Sequence, residues 1–340
     1  MACLRQREPR RKNALKRVRR VIDYDAVERG EPGLTHSFVA SLATAMDCAG
    51  YITDPVDLMG ASGFAFRIWI EQRLLPNAMN AFDWEAVLPA AVQRAGFSCE
   101  HIRRYEREAD LEAPRRTQAH TAITRSIDRG APAIVWDPSD PPMWGLITGY
   151  NDFTQIYDTS AFWGYSIPLA YDKLGRRDVD CLSVILLGEP RDLGEDLVLK
   201  QSLHAALLHA QGYEGRQFDR VRSGLAAYAR WAELLQPGFL ADHEFQFADY
   251  TAEMFYAFRC YARDFLKAKG QDSSLLHNAS RAYADVADNL REVHEAFQAE
   301  KRPADLTLRR LRERILCARA SEIDALNHIA DFLGQPRIAT

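Results

Sequence analysis

Apolar residues recur at three-to-four spacing between residues 36 and 50, which predicts an amphipathic helix with one buried face. The polar pair His36-Ser37 opens this helix and Gly50 closes it. Ser37 is therefore predicted in the first turn, where unpaired backbone N–H groups and the helix dipole favour a negative charge. The position suits a nucleophile, although a serine at a helix start is more often an ordinary structural cap.

Between this helix and residue 190 the pattern predicts two more helices, at residues 84–95 and 120–129, each ended by a glycine. Residues 60–63 are predicted to form a Gly-rich loop and residues 64–70 a short aromatic element. Alternating or continuous apolar runs predict strands at residues 97–105, 133–136, 144–150, 154–157 and 179–187. A helix followed by a series of antiparallel strands is the order of an α+β fold.

The second half of the chain is predicted to be helical. Eleven of the fifteen prolines lie before residue 170, and proline is poorly tolerated inside helices. Apolar and aromatic stripes predict four or five helices, at residues 196–211, 216–235, 249–269, 273–299 and 303–333. We place the boundary between an α+β domain, residues 21–190, and a helical domain, residues 191–340, at residues 188–194.

The composition, with 47% hydrophobic and 26% charged residues, is that of an ordinary globular protein, and 340 residues suffice for two domains. No apolar run approaches the roughly 18 residues that a membrane span requires, and no secretory signal is recognised. The six cysteines are scattered without a Cys-x-x-Cys pair, which argues against a disulfide framework or a zinc site. We therefore expect a cytoplasmic protein with reduced thiols and no membrane partner.

The first 20 residues form a basic arm with nine Arg or Lys residues against one Glu, although the whole chain has a net charge of −4. Such an arm can touch nucleic acid or an anionic membrane surface. No aromatic residues interleave with these cations and no nucleic-acid-binding motif follows, so nucleic acid is not the favoured partner. We interpret the arm as a solvated leader or as a start site placed too far upstream.

Residues 36–50 and 52–66 carry a resemblance to a known family. The first stretch has the His-Ser pair, about a dozen residues and a glycine, and the second is Gly-rich and ends in Gly63-Phe64-Ala65-Phe66. This arrangement resembles the N-terminal domain of the butirosin biosynthesis acyltransferase family, which is similar to papain-like cysteine peptidases. Residues 224–235 are similar, more loosely, to the helical domain that follows in many relatives. The resemblance implies a papain-like N-terminal domain, with a helix packed on an antiparallel sheet, and an all-α C-terminal domain.

The resemblance also implies a catalytic centre, and this chain departs from it. A papain-like centre needs a thiolate activated by His, with Asn or Asp orienting the imidazole. The family has His-Cys where this chain has His36-Ser37, so the thiol is missing. In relatives the catalytic His lies just ahead of a strand ending in Gly-Tyr, and Met143 or Trp144 takes that place here. Asp158, at the end of the next strand, matches the orienting residue.

The sequence offers no clear substitute base for Ser37. His36 is its neighbour, yet consecutive residues at a helix start point in different directions. His101 and His120 belong to the same predicted domain and could approach Ser37 through space, although nothing in their spacing requires it. Three aspartates around strand 144–150 are interpreted as turn formers: Asp137, Asp140 and Asp152.

The residues around the predicted loop at 60–63 are candidates for a ligand pocket. No Gly-Lys-Ser/Thr follows the glycines, so a phosphate-binding loop is not supported. Neighbouring aromatic residues would instead wall an apolar pocket beside Ser37, against the alternative that they simply pack in the core. The predicted substrate-binding residues are Gly60, Ser62, Gly63, Phe64, Phe66, Met143 and Trp144, with Trp69 and Trp163 as further candidates. No cofactor and no metal is predicted.

From these residues we predict a catalytically degenerate protein that binds a small acyl, amino-acid, peptide-like or acyl-carrier ligand in a biosynthetic setting. One alternative is an active acyltransferase or amide or ester hydrolase, in which Ser37 is the nucleophile and Asp158 steers a histidine. That alternative requires an imidazole nitrogen within about 3–4 Å of the Ser37 hydroxyl. The other alternative is an interaction protein that self-associates as a homodimer through its helical domain.

Overall fold

The structure, a computed structural model, describes residues 16–17, 34, 36–51, 53–161, 167–215 and 219–338. It has an α+β fold in which an antiparallel sheet with helices is followed by a C-terminal helical region. Most of the predicted basic arm, and the candidate Trp163, lie outside the described residues. Lys16 and Arg17 of the arm are described and pair with the sheet.

The elements of the first half alternate between helices and short strands. In chain order they are β1 (Lys16–Arg17), α1 (Ser37–Cys48), α2 (Pro55–Ser62), β2 (Trp69–Glu71), α3 (Trp84–Arg94), β3 (Phe97–Arg104), α4 (Glu112–Asp128), β4 (Ala133–Trp136), β5 (Trp144–Asn151), β6 (Ile156–Ala161), β7 (Leu169–Ala170) and β8 (Leu182–Pro190). Single-turn and longer 3-10 segments lie at Phe64–Phe66, Pro76–Asn80, Glu106–Leu111 and Tyr171–Lys173.

The main sheet has the strand order β3-β8-β4-β5-β6-β7, and every pairing in it is antiparallel. The strand β1 also pairs with β5, opposite Tyr150 and Gly149, where β4 has ended. The antiparallel order confirms the α+β prediction. The last long strand begins at Leu182 and not at residue 179, because the N–H groups of Asp178 and Val179 donate to the Asp137 carboxylate instead of to a strand.

Helix α1 confirms the helix predicted at residues 36–50, but its cap differs from the expected one. His36 is the N-terminal cap, since its Nδ1 accepts a hydrogen bond from the Phe38 N–H at 3.2 Å. Ser37 follows as the first helical residue. The ring nitrogen of His36 therefore caps the helix, a role that the side chains of Ser, Thr, Asp and Asn usually have.

The prediction of a loop at residues 60–63 is wrong, because residues up to Ser62 belong to helix α2. Asp54 caps this helix by accepting from two backbone N–H groups, and Pro55 occupies its first turn. Gly63 then ends the helix with φ +82°, a left-handed conformation that glycine adopts without strain. Gly60 is thus a helical residue, and it lies directly against the ring of Phe265.

The second half contains α5 (Glu195–Ala210), β9 (Val221–Ser223), α6 (Leu225–Leu234), α7 (Ala248–Lys269), α8 (Ser274–Ala299) and α9 (Asp305–Leu333). The three long helices α7, α8 and α9 confirm the predicted helical C-terminal region. The helix predicted at residues 216–235 is shorter than expected, because residues 221–223 form β9, which pairs antiparallel with β2. This pairing joins the two halves of the chain.

One hydrophobic core extends across the position where the sequence suggested a boundary. It includes Phe38 and Phe66 from the first half and Phe258, Tyr283 and Leu326 from the second. A second cluster fills the other face of the sheet, between α4 and β3, β4, β5 and β8. The two halves are therefore packed through buried apolar surface, which is the dominant favourable term in folding.

Two further expectations concern the whole chain. Over the described ranges, no helix combines the length and apolar character needed to cross a bilayer. Cys99, Cys181, Cys260 and Cys317 are free thiols, as their scattered spacing suggested.

Replacing Gly60 by Ala tests the contact between α2 and α7. An added Cβ would lie 2.1 Å from two ring atoms of Phe265, a fully buried side chain, so that ring or the helix must shift. Overpacking of this kind costs roughly 1–3 kcal/mol, which exceeds the gain of about 1 kcal/mol expected from Gly→Ala inside a helix. We expect Gly60→Ala to lower the free energy of unfolding, measured by urea denaturation.

A double variant provides the control for that measurement. Phe265→Leu shortens the opposing side chain, so adding Gly60→Ala to it should cost less than in the natural chain. A Gly60→Ala protein that is more stable than the natural one would contradict the close contact.

Candidate functional site

Ser37, the predicted nucleophile position, lies in the first turn of α1 and beside the start of β5. Its side chain is half-buried, and its Oγ accepts a hydrogen bond from the Trp144 backbone N–H at 3.3 Å. The structure therefore brings together Ser37 and the position 143–144 that the resemblance points to. The groups at that position are the Met143 side chain, the Trp144 indole and the Trp144 backbone N–H.

His36 is buried and is held away from proton transfer with Ser37. Its Nε2 lies 3.1 Å from the Met79 carbonyl oxygen, and its Nδ1 accepts from the Phe38 N–H. Nε2 therefore carries the proton, and both nitrogens are engaged. Burial lowers the pKa of His36 to about 4, partly offset by the bond to Met79, and the positive charge of Arg67 lowers it further. The imidazole is a neutral, structural group.

The two other candidate imidazoles also point elsewhere. The Nε2 of His101 lies 2.8 Å from the hydroxyl of Ser183, across the β3–β8 pair. The Nδ1 of His120, on α4, lies 2.7 Å from the hydroxyl of Tyr157. Each is thus engaged with a hydroxyl group other than that of Ser37.

Asp158 is not brought next to Ser37. It lies opposite Gly149 in the β5–β6 ladder, whereas the start of β5 lies beside Ala161. Ala161 comes three positions after Asp158 in β6, which is roughly 10 Å at about 3.4 Å per residue. The Oδ2 of Asp158 lies 3.8 Å from Nε of Arg17 on β1. Asp158 is therefore placed to hold β1 and not to orient a group at Ser37.

The indole of Trp144, predicted to line a pocket, is packed in a cluster of aromatic side chains. Its side chain is completely buried, and its Nε1 donates to the side-chain oxygen of Asn80 at 3.0 Å. Its ring lies 4.9–5.5 Å, centroid to centroid, from three other aromatic rings, those of Phe38, Trp84 and Trp136. Met143 beside it is half-buried against the core.

The remaining predicted lining residues pack inside the protein. Phe64 is 4.5 Å from the His36 ring, and Phe66 contacts the rings of Phe265 and Tyr283. The Ser62 hydroxyl donates within its own helix, to the Met59 carbonyl oxygen. The predicted set therefore lies near one place in the fold, but its aromatic members are engaged with the core.

The loop between β4 and β5 contains a strained, buried aspartate. Asp137 has φ +60°, and its Oδ2 accepts from two backbone N–H groups while its Oδ1 has no hydrogen bond. Burial raises the pKa of Asp137 to about 6, against the opposing effects of its hydrogen bonds and of Arg177. The turn interpretation of this residue is thus incomplete, because the carboxylate also fastens residues 178–179 to the sheet.

A charged cleft lies along α3, on the far side of the Phe64–Phe66 segment, and sequence reasoning missed it. The cavity has a volume of about 480 Å³ and lies between α3 and α5. Its inner wall carries Arg67, Arg94 and Glu214. Arg67 donates from Nε and Nη2 to both oxygens of Glu214, at 2.9 and 2.7 Å.

Two signals in the sequence point to these arginines. Arg67 interrupts the apolar run at residues 64–70, and Arg94 lies seven residues after Val87 on the apolar face of α3. Charged residues at buried positions are rare unless they are paired or functional. Glu214 had no such signal, because it lies in a polar stretch between α5 and β9.

Comparisons with known proteins add nothing to this picture. The chain matches none of the protein-family models and none of the curated proteins with which it was compared.

The buried imidazole of His36 leads to a prediction on acid stability. In the folded protein the pKa of His36 is about 4, whereas the unfolded chain takes up a proton below about pH 6.5. The unfolded state thus binds more protons between these values, so the contribution of His36 is complete above pH 6.5 and is lost as the pH falls to 4. Its full size is on the order of 3 kcal/mol.

We expect His36→Asn to flatten the pH dependence of stability. Asparagine retains an acceptor for the Phe38 N–H but does not titrate. Urea denaturation at intervals between pH 4.5 and 7 measures the free energy of unfolding of both proteins, and other titrating groups cancel in the comparison. Parallel pH profiles would contradict a buried, neutral His36.

Proposed function

We propose that this chain is a catalytically degenerate protein of papain-like architecture, which acts by binding a small acyl, amino-acid or peptide-like ligand. The observation that carries the proposal is the environment of Ser37, whose Oγ accepts the Trp144 N–H at 3.3 Å. A neutral serine hydroxyl is a weak nucleophile unless a base takes its proton. The neighbouring position that a papain-like centre gives to its imidazole is taken here by Met143 and Trp144.

Support for the papain-like architecture comes from the packing of α1. This helix begins at Ser37 and contacts β4 and β5, two adjacent strands of the antiparallel sheet. The N-terminus of a helix thus meets the start of a strand, which is the arrangement that the resemblance implies.

The alternative of an active Ser37 hydrolase or acyltransferase lacks its base. The imidazoles of His36, His101 and His120 are each engaged with other groups. The side chain of Trp144 is buried among aromatic rings, so we place the ligand in the cleft along α3, which offers an open cavity.

The first test is turnover of acyl substrates. We expect the natural chain and Ser37→Ala to hydrolyse p-nitrophenyl acetate and an acetyl thioester of N-acetylcysteamine at the same background rate. Appreciable turnover that disappears in Ser37→Ala would overturn the proposal and restore the enzyme alternative.

A second test restores the missing groups. In Ser37→Cys combined with Met143→His, a thiol and an imidazole would stand at the two positions that a papain-like centre uses. A thiol next to an imidazolium has a lowered pKa, so its alkylation by iodoacetamide at pH 6 should be about tenfold faster than in Ser37→Cys alone. Mass spectrometry of the peptide containing position 37 separates this thiol from the natural ones. Equal rates in the two variants would contradict the papain-like placement of position 143.

A further inference from the structure

The cleft along α3 is lined by two buried arginine side chains. Arg67 and Arg94 are 1% and 8% exposed, and both line the cavity. They lie close together, because Nη1 of Arg67 and Nη2 of Arg94 donate to the same atom, the Ser62 carbonyl oxygen, at 3.4 and 2.7 Å. Two buried cations at such a separation repel each other unless negative charge lies beside them.

The positive charge of Arg67 is neutralised by a carboxylate, that of Glu214. The fork of Arg67 is paired with both carboxylate oxygens of Glu214, and Oε2 of Glu214 also lies 2.9 Å from Nδ1 of His209. The charge of Arg67, together with His209, holds the pKa of Glu214 at about 2 although burial opposes this. Glu214 is therefore ionised and committed to Arg67.

Arg94 has no carboxylate of its own. Its Nε and Nη2 donate at 2.7 Å to the carbonyl oxygens of Ala61 and Ser62, at the C-terminal end of α2. Those carbonyls carry only the partial negative charge of a helix C-terminus. The Nη1 of Arg94 donates to none of the described residues. Burial, and next the charge of Arg67, lower the pKa of Arg94 to about 10, which leaves it a cation at neutral pH.

The walls of the cleft define the rest of a ligand. Val87 and Ala90 of α3 and Ala205 and Leu208 of α5 give the cavity an apolar part, and Gln93, Gln201 and His204 add uncharged polar groups to its lining. A chain of methylene groups would bury apolar area there, at about 25 cal/mol per Å².

The charges of the lining select the kind of anion. Two arginines and two acids, Asp83 and Glu214, line the cavity, so the formal charge of these four groups is balanced. Asp83 caps α3 by accepting from two backbone N–H groups. A dianion such as phosphate would bring excess negative charge next to Glu214, whereas a carboxylate brings a single negative charge, which the Nη1 group of Arg94 can bind.

We propose that the cleft between α3 and α5 binds the carboxylate of a small organic acid, with Arg94 as its partner and Ala90, Ala205 and Leu208 against its apolar chain. This inference rests on the proposed function in that it gives the ligand a place and a chemical class. It does not depend on the chemistry of Ser37.

Isothermal titration calorimetry on the full chain at pH 7 tests the proposal, with hexanoate as the probe. We expect hexanoate to bind with one site per chain, and hexanol and inorganic phosphate to bind at least about tenfold more weakly, since each lacks one of the two matched features. Absence of hexanoate binding, or phosphate binding as tight as that of hexanoate, would overturn the proposal.

Three variants locate the site. Arg94→Gln should weaken hexanoate binding by about tenfold or more, the effect of losing a charge-assisted hydrogen bond. Ala90→Phe fills the cleft while keeping both arginines and should abolish binding, as should Ala205→Phe from the opposite wall. Ala226→Phe, on the exposed side of α6, introduces the same side chain elsewhere and should leave binding unchanged. If Arg94→Gln does not fold, the two filling variants still decide the question.

Arg94 also lines a second cavity of about 270 Å³, on the side of Lys269 and Arg191. Binding that is lost in Arg94→Gln but kept in both filling variants would place the anion there and refute the assignment to the α3–α5 cleft. Hexanoate binding together with Ser37-dependent turnover would refute the proposed function alone. Absence of both binding and turnover would refute only the carboxylate site.

Discussion

The arrangement of the C-terminal helices depends on a buried ion pair between Arg259 of α7 and Glu322 of α9. The Nη2 of Arg259 lies 2.8 Å from Glu322 Oε1, and both side chains are inaccessible to solvent. The hydroxyls of Tyr228 and Tyr283 also donate to Glu322, so the carboxylate is satisfied from α6 and α8 as well. Removing charges from water is costly, and a pair of this kind is retained only when its hydrogen bonds are complete. Four helices are thus held in one arrangement around a single carboxylate.

The same arginine fixes the segment on which the candidate cleft is built. Its Nη1 donates to the Arg67 carbonyl oxygen at 2.7 Å, and the next residue, Ile68, is bound through its backbone to the His209 ring. The backbone at residues 65–68 is therefore held from the second half of the chain. The Arg67 side chain has its direction set by Glu214, another residue of that half. The separation of the two guanidinium groups, on which the proposed anion site depends, therefore follows from packing between the halves.

The side chains around Ser37, where the sequence predicted a papain-like centre, belong largely to the hydrophobic core. Where an imidazole would need a polar, partly open environment, the chain has the indole of Trp144, packed among Phe38, Trp84 and Trp136. The buried His36 is kept neutral by the same apolar surroundings. Burial that favours packing disfavours the charged forms on which nucleophilic catalysis relies. This arrangement is consistent with the proposed binding role. The charged groups proposed to bind the ligand, Arg67 and Arg94, lie in the cleft along α3.

The sequence by itself determined most helices and strands, because their apolar periodicity depends only on local geometry, although it missed α2 and the part of α4 before residue 120. It also determined that a serine stands at the start of α1 and that Met143 and Trp144 stand at the start of β5. It did not determine that residues 60–62 are helical, since glycine disfavours helix locally and the close contact with Phe265 favours it only in the folded chain. Nor did it bring Arg67, Arg94 and Glu214 together, or separate Asp158 from Ser37. These placements depend on strand register and on packing between residues distant in the chain, which only the tertiary structure decides.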